Sequence, residues 1–295
     1  MNSVIEYYYD IFNIKTICLN DKYIFENNGN TYLFYRVFRD TGEISLISKL
    51  LLETNYIFNI VLNKLKMEVT NVNNDLYVLV KVNSKLTLNN LIKKRSISNT
   101  FKYSSLIKNN WYDMWIKKID NITYEMVHIK GKYLFLEQYF DYFIGLSETA
   151  ISYYNDTMLN YGNSLKKDLV LSYKRINFND KYCFFDINNL VIDHYVRDIS
   201  EYFKYLFFYG DFSYNTIFSV LNFLKLSTAE YQLLFCRLLF PTFFFDLYDL
   251  IINNKEKETK LYLIINKMSD YEVFLKKIYN YMSRKNKITK IEWLS

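Results

Sequence analysis

The sequence predicts an α+β protein in two lobes, a small β-rich N-terminal lobe over residues 1–84 and a large, mainly helical C-terminal lobe over residues 85–295. Three observations carry this. Before residue 84, aromatic and β-branched side chains fall in short runs bounded by turn residues. After it, apolar residues recur at helical spacing. Among those helical segments, residues 166–207 interrupt with irregular and strand-like sequence carrying several Asp and Asn.

Taken in order, Lys22 to Arg39 reads as a β-hairpin. YIFE and TYLFYRVF supply the strands, and Asn27-Asn28-Gly29-Asn30 supplies turn residues that tolerate positive φ. Glu43 to Glu53 has a helical period, and Phe58–Leu62 and Leu76–Val82 read as strands. Short helices are expected over Leu86–Lys94 and Ser105–Ile119, and a buried one over Phe143–Tyr154. Four more should cover Ser213–Leu226, Ala229–Leu239, Phe243–Ile252 and Asp270–Met282. Pro241, the single proline, should separate the second and third of these.

Composition narrows the function classes. With 51% hydrophobic residues in a 295-residue chain, a sizeable core can form and global disorder is excluded. The richness in Lys, Asn, Ile and Tyr is that of an AT-rich genome, so single tyrosines and asparagines carry little weight. The net charge of +6 is scattered, with denser clusters only at Lys93-Lys94-Arg95 and Arg284–Lys290. A nucleic-acid footprint would be a stripe, so no nucleic-acid partner is expected. Cys18, Cys183 and Cys236 are odd in number and widely spaced, which argues against a disulfide framework and for a reducing compartment. Two histidines, His128 and His194, are too few for a His-rich zinc site. The stretch MNSVIEYYYD lacks a basic n-region and is not expected to be a signal peptide. Charges interrupt every apolar run before the roughly 18–20 residues of a membrane helix, so no membrane partner is expected.

The most informative stretch is Tyr182–Phe207, YCFFDINNLVIDHYVRDISEYFKYLF. Cys183-Phe184-Phe185 reads as a strand ending at Asp186, a polar stretch follows, and Asp193, His194, Arg197 and Asp198 precede a helix, Ile199–Phe208, that Asp198 can cap. Strand, acid, loop, acid, helix is a layout that presents a carboxylate to a metal-bound phosphate. The alternative is a strand-to-helix connection whose acids only cap and solvate.

A small β-lobe, a short connection and a helical lobe with an embedded acidic segment suggest a protein-kinase-like architecture. Phosphoryl transfer then needs a cation on the phosphates, a carboxylate pairing that cation, a proton-accepting Asp, an Asn, and a metal-holding Asp. The cation position falls at Arg36, and Glu43, seven residues on, can begin the pairing helix. No glycine-rich loop precedes Arg36. The catalytic-loop register His-Gly-Asp, with Asn five residues after the Asp, meets Ser172-Tyr173-Lys174 and then Asn179. A lysine there is no general base at neutral pH without a large pKa depression. The metal position is open between Asp186, twelve residues before Asp198, and Asp193, which better suits the spacing from Asn179. Arg36, Glu43, Asn179 and Asp186 are thus the candidate nucleotide-binding residues, for ATP with Mg²⁺, and no residue is assigned a catalytic role.

Four stretches carry a family resemblance: WYDMWIKKID (Trp111–Asp120), YFIGLSETAISYYND (Tyr142–Asp156), IDHYVRDISEY (Ile192–Tyr202) and RLLFPTFFFDLY (Arg237–Tyr248). Their order and span resemble the kinase-like spore-coat-associated proteins of spore-forming Firmicutes, the CotS and YutH type, distant relatives of aminoglycoside phosphotransferases and choline kinases. The resemblance implies a two-lobe kinase-like fold and location in the mother-cell cytoplasm or the spore coat, with other coat or sporulation proteins as partners. Relatives that keep the catalytic-loop His and Asp differ here, at Ser172 and Lys174. The resulting expectation is a catalytically degenerate, structural or scaffolding kinase-like protein, in which His194 and Arg197 brace the catalytic loop and Trp111, Trp115 and Phe243–Phe245 are core. The competing readings are an active ATP-dependent small-molecule phosphotransferase using Asp180 or Asp186, and a module that binds a small ligand without turnover.

Overall fold

The computed structural model describes residues 1–84, 87–92, 97, 105–165 and 169–294. The chain groups into two compact units, 1–108 with 169–193, and 109–168 with 194–295. The expected boundary after residue 84 abuts residues 85 and 86, and the Lys93-Lys94-Arg95 cluster also lies outside the described residues.

The first unit is built on a six-stranded antiparallel sheet. Strands β1 (Ile17–Leu19), β2 (Lys22–Asn27), β3 (Asn30–Arg36), β4 (Phe58–Val61), β5 (Thr70–Val72) and β6 (Asp75–Val82) run in the order β1-β2-β3-β6-β4, with β5 paired to β6. The β2–β3 hairpin forms where Asn28 and Gly29 take φ of 49° and 72°, the two left-handed positions of a tight hairpin turn. Register fixes the faces: Lys22 opposes Tyr35, Ile24 opposes Leu33, and these align with Val78 and Val80. The other face presents Phe25, Phe34 and Leu79 to Ile5 of helix α1 (Asn2–Tyr9) and to Ile14. Helix α2 (Thr41–Glu53) starts two residues before the expected Glu43, because the Asp40 side chain accepts the Glu43 N–H at 2.8 Å. Helix α3 (Leu88–Ile92) falls within the expected Leu86–Lys94. α1, β1 and β5 were not legible in the pattern: each is short, and all three residues of β1 are exposed.

The acidic segment reverses the expected order of strand and loop. Residues 181–185 form a turn of 3₁₀ helix, another covers 187–189, and the strand is β8 (Leu190–His194), paired with β7 (Leu169–Tyr173). Two aspartates make the difference. Asp180 accepts the Tyr182 N–H at 3.0 Å and Asp186 accepts the Asn188 N–H at 2.8 Å, local bonds that compete with extended backbone. LVIDH is buried at every position, Asp193 and His194 included, so no inside–outside alternation marks it as a strand. The acid near a strand end is therefore Asp193, not Asp186.

In the second unit, α4 (Trp111–His128) starts after the expected Ser105, where the Asn110 side chain accepts the Asp113 N–H. The buried helix expected at Phe143–Tyr154 is the middle of the 32-residue α5 (Leu134–Leu165). Helix α6 (Val196–Phe208) starts three residues before the expected Ile199. Asp198 is thus no N-cap; it sits buried in the first turn, where a carboxylate still complements the helix dipole. Helices α7 (Tyr214–Leu224), α8 (Thr228–Leu239), α9 (Thr242–Ile252), α10 (Tyr262–Ile265) and α11 (Met268–Lys285) follow, with a Ser227–Glu230 capping box on α8 and Pro241 at the N-cap of α9.

Aromatic rings fill this unit's core as expected. Trp115 stacks on Phe240 at 4.3 Å and Phe143 on Phe244 at 3.9 Å. Within it lies a buried ion pair, Arg237 Nη2 to Glu201 Oε1 at 2.6 Å, with the guanidinium over Trp111 at 4.8 Å. Removing Glu201 takes the carboxylate away from a buried guanidinium. Glu201→Ala is expected to cost ~3–5 kcal/mol in urea denaturation, whereas Lys260→Ala, which breaks an exposed i,i+4 pair with Glu256, should cost under ~0.5 kcal/mol.

Candidate functional site

The 185–190 segment is irregular yet largely buried, so its backbone polar groups need partners. The sheet supplies them within the first unit. Tyr35 is 2% exposed; its hydroxyl donates to the Phe185 carbonyl at 2.8 Å and accepts the Ile187 N–H at 3.0 Å. Burial, and then the charge of Asp186, push its pKa well above the usual phenol value, so it stays a donor. Arg39 Nε donates to the Ile187 carbonyl at 3.0 Å, and Nη2 donates to the Asn188 and Leu190 carbonyls. Its Nη1 meets Glu43 Oε2 at 2.9 Å, and Glu43 also accepts the Ser105 hydroxyl. The Asn188 side chain accepts the Phe38 N–H at 2.9 Å and donates to the Arg36 carbonyl at 3.2 Å.

Asp186 pairs with Lys22 Nζ at 3.2 Å, with both side chains mostly buried. Lys22 comes from β2, on the same sheet face as Ile24 and Tyr35. Arg36 stands elsewhere. It follows Tyr35 on β3 and so points to the opposite face, where it pairs with Asp75 at 2.6 Å and lies over Phe38. The cation on the Asp186 side of the sheet is therefore Lys22, and the residue that reaches the acidic segment from β3 is Tyr35.

Around the catalytic-loop position, Ser172 is buried in β7 and its hydroxyl has no hydrogen-bond partner among the described residues. The Lys174 ammonium donates to the Asn188 carbonyl at 2.7 Å, and its N–H donates to the Asn189 carbonyl at 2.7 Å. Desolvation, followed by the charges of Arg39 and Lys108, lowers its pKa. Asn179 is exposed, its N–H on Asn177 Oδ1 at 3.0 Å. Asp193 is fully buried in β8. In the second unit, His194 packs edge-on against Trp111 at 5.5 Å, and Arg197 is buried in the first turn of α6.

Beside these residues lies a cleft of 920 Å³, all within the first unit. Ile17, Ile24 and Val82 of the sheet, with Leu88, line one part of it, and Phe184 and Phe185 another. Its size and apolar walls suit a small ligand. Asp186 is held by Lys22 at 3.2 Å, and among the described residues no three His, Cys, Asp or Glu side chains converge on a point.

An antiparallel sheet with helices packed on it, a β7–β8 pair carrying an acid near its end, and a large helical unit define a kinase-like protein of the phosphotransferase fold. The family model described as "Spore coat putative kinase YutH" matches residues 2–278, and the chain belongs to that family. Among curated proteins it is 26% identical over 207 residues to the endospore coat-associated protein YutH of Bacillus subtilis (strain 168), an alignment spanning 62% of this chain and 61% of that protein. The fold is similar to that of an aminoglycoside phosphotransferase from Alicyclobacillus acidocaldarius, with a TM-score of 0.70, 9% identity and 96% of both chains covered. It is also similar to an AMP-bound spectinomycin phosphotransferase, with a TM-score of 0.56, 12% identity, and 88% of this chain and 93% of that one covered.

Tyr35, Arg39 and Lys22 were missed in the sequence. The usable signal was the period of two in β3: once Leu33 is placed inward, Tyr35 follows it and Arg36 cannot. Urea denaturation should separate the two readings. Tyr35→Phe is expected to cost ~1–3 kcal/mol, since it leaves the Phe185 and Ile187 groups unpaired, while Arg36→Ala should stay within ~0.5 kcal/mol. Equal losses would contradict the register.

Proposed function

We propose that this chain is a catalytically degenerate kinase-like protein that serves the spore coat through contacts with other coat or sporulation proteins. One observation carries the non-catalytic part. Where the spacing to Asn179 puts the proton-accepting Asp, Lys174 stands, and its ammonium is already donating to the Asn188 carbonyl. An ammonium has no lone pair with which to take a proton from a nucleophile. The displaced acids are also committed. Asp180 accepts from the Tyr182 N–H and from Asn20, and Asp186 from the Asn188 N–H and from Lys22. Family membership supports the coat assignment, and among the described residues no helix is long and apolar enough to cross a membrane.

Two measurements test this. Millimolar Mg-ATP should raise the melting temperature little, because a ligand present at its own Kd stabilises by only about 0.4 kcal/mol. A large metal-dependent shift, lost in Asp186→Ala, would defeat that expectation. Incubation with labelled ATP and a panel of aminoglycosides, choline and coat proteins should transfer no phosphate. Transfer that disappears in Asp180→Ala or Asp186→Ala would establish an active phosphotransferase instead.

A further inference from the structure

The six-stranded sheet ends on β1, and none of the described strands pairs with its outer side. β1 joins β2 through the two-residue turn Asn20-Asp21, with φ of 48° and 60°, the left-handed pair of a tight hairpin. Leu19 faces Lys22 across that turn and Ile17 faces Ile24, so both direct their backbone groups to β2. Cys18, between them, turns its N–H and carbonyl to the free edge. An edge of this kind is a template for another strand. Its side chains are open to solvent as well: Ile17 is 64% exposed, Leu19 is 48% exposed, and Cys18 is an exposed free thiol. The flanking charges then select the strand that fits. Lys15 and Asp21 stand three residues before and after Cys18; both are exposed, and neither makes an ion pair among the described residues. Asp180, which accepts from Asn20 at 3.2 Å, is followed directly by Lys181, so these two neighbours add no net charge beside the turn.

From this we infer that β1 is a self-association edge, on which a second copy of this chain pairs antiparallel about a two-fold axis at Cys18. The edge is complementary to itself, as such an axis requires. Centred on Cys18, the pairing sets Lys15 of each copy opposite Asp21 of the other and Ile17 opposite Leu19, twice over. Cys18 and its counterpart exchange N–H to carbonyl bonds, and the side chains directly opposite one another come into contact. The neighbouring registers lose this match, since a shift by two residues sets Lys15 against Leu19 or Asp21 against Ile17. Three residues make a small contact, so the dimer belongs to the weak, transient class that buries less than about 1,200 Å². The inference is independent of the non-catalytic reading above, because the edge is the same whether or not the chain transfers phosphate.

The test is sedimentation of the intact protein in reducing buffer. It should be monomeric at about 10 µM, with a dimer fraction that rises towards about 1 mM. Lys15→Asp and Asp21→Lys should each stay monomeric, since like charges then face each other at both ends of the contact. Mixing the two variants restores opposite charges at both ends and should bring the dimer back. Lys15→Asp changes an exposed side chain and should leave the melting temperature in place, so that a lost dimer is not a lost fold. A short bismaleimide should join wild-type chains through Cys18, because the Cα atoms of such a pair stand about 5.5 Å apart. Cys18→Ser should abolish that link. A monomer at the highest concentration, a dimer indifferent to Lys15→Asp, variants that stay apart when mixed, or a crosslink that fails in the wild type or survives Cys18→Ser would each overturn the inference. Phosphate transfer would defeat only the non-catalytic reading.

Discussion

The first unit depends on one constraint: an irregular, buried segment must have every backbone polar group satisfied. Residues 185–190 cannot bond to one another as a strand or a long helix, because Asp186 and Asp180 hold them in short 3₁₀ turns. Their carbonyls therefore fall to Arg39 and Tyr35, which contact Phe185, Ile187, Asn188 and Leu190. Arg39 suits the task because its fork of N–H donors serves several carbonyls and Glu43 at once. Once that segment is fixed to the sheet, the position of β8, and of Asp193 within it, follows.

The same constraint accounts for the charged groups around the segment. Lys22 and Asp186 neutralise each other, Glu43 balances Arg39, and Lys174 closes on a backbone carbonyl. Each group could in principle serve phosphate chemistry. Here each is engaged in holding the segment, and releasing it would leave a buried charge or carbonyl without a partner.

The second unit is held differently. Its centre is aromatic: Trp111, Trp115, Phe240, Phe244 and Tyr271 are fully or nearly fully buried, ring contacts run from α4 through Phe240 to α9, and Phe243 of α9 meets Tyr271 of α11. Arg237, Glu201 and Lys204 add buried charge to this packing, with Lys204 donating to the Phe240 carbonyl at 2.8 Å. Desolvating such groups costs free energy that their pairing has to offset. Trp111, Trp115, Arg237 and Phe243–Phe245 of this packing lie in the stretches that carry the family resemblance.

The sequence by itself determined the α+β class, the hairpin with its Asn28-Gly29 turn, the helical C-terminal half and the family, because these rest on periodicity, turn chemistry and the order of four motifs. It also led to the expectation, from the resemblance and the spacing to Asn179, that Ser172 and Lys174 stand where relatives keep the catalytic-loop His and Asp. Tertiary structure decided the rest. Whether Cys183-Phe184-Phe185 or Leu190–His194 is the strand turned on side-chain bonds from Asp180 and Asp186, which composition does not reveal. Whether Arg36 or Lys22 faces the acid turned on a one-residue register, and a period of two sends neighbours to opposite faces of the sheet. The partners of Tyr35 and Arg39 lie some 150 residues away in sequence, so only folding could bring them together.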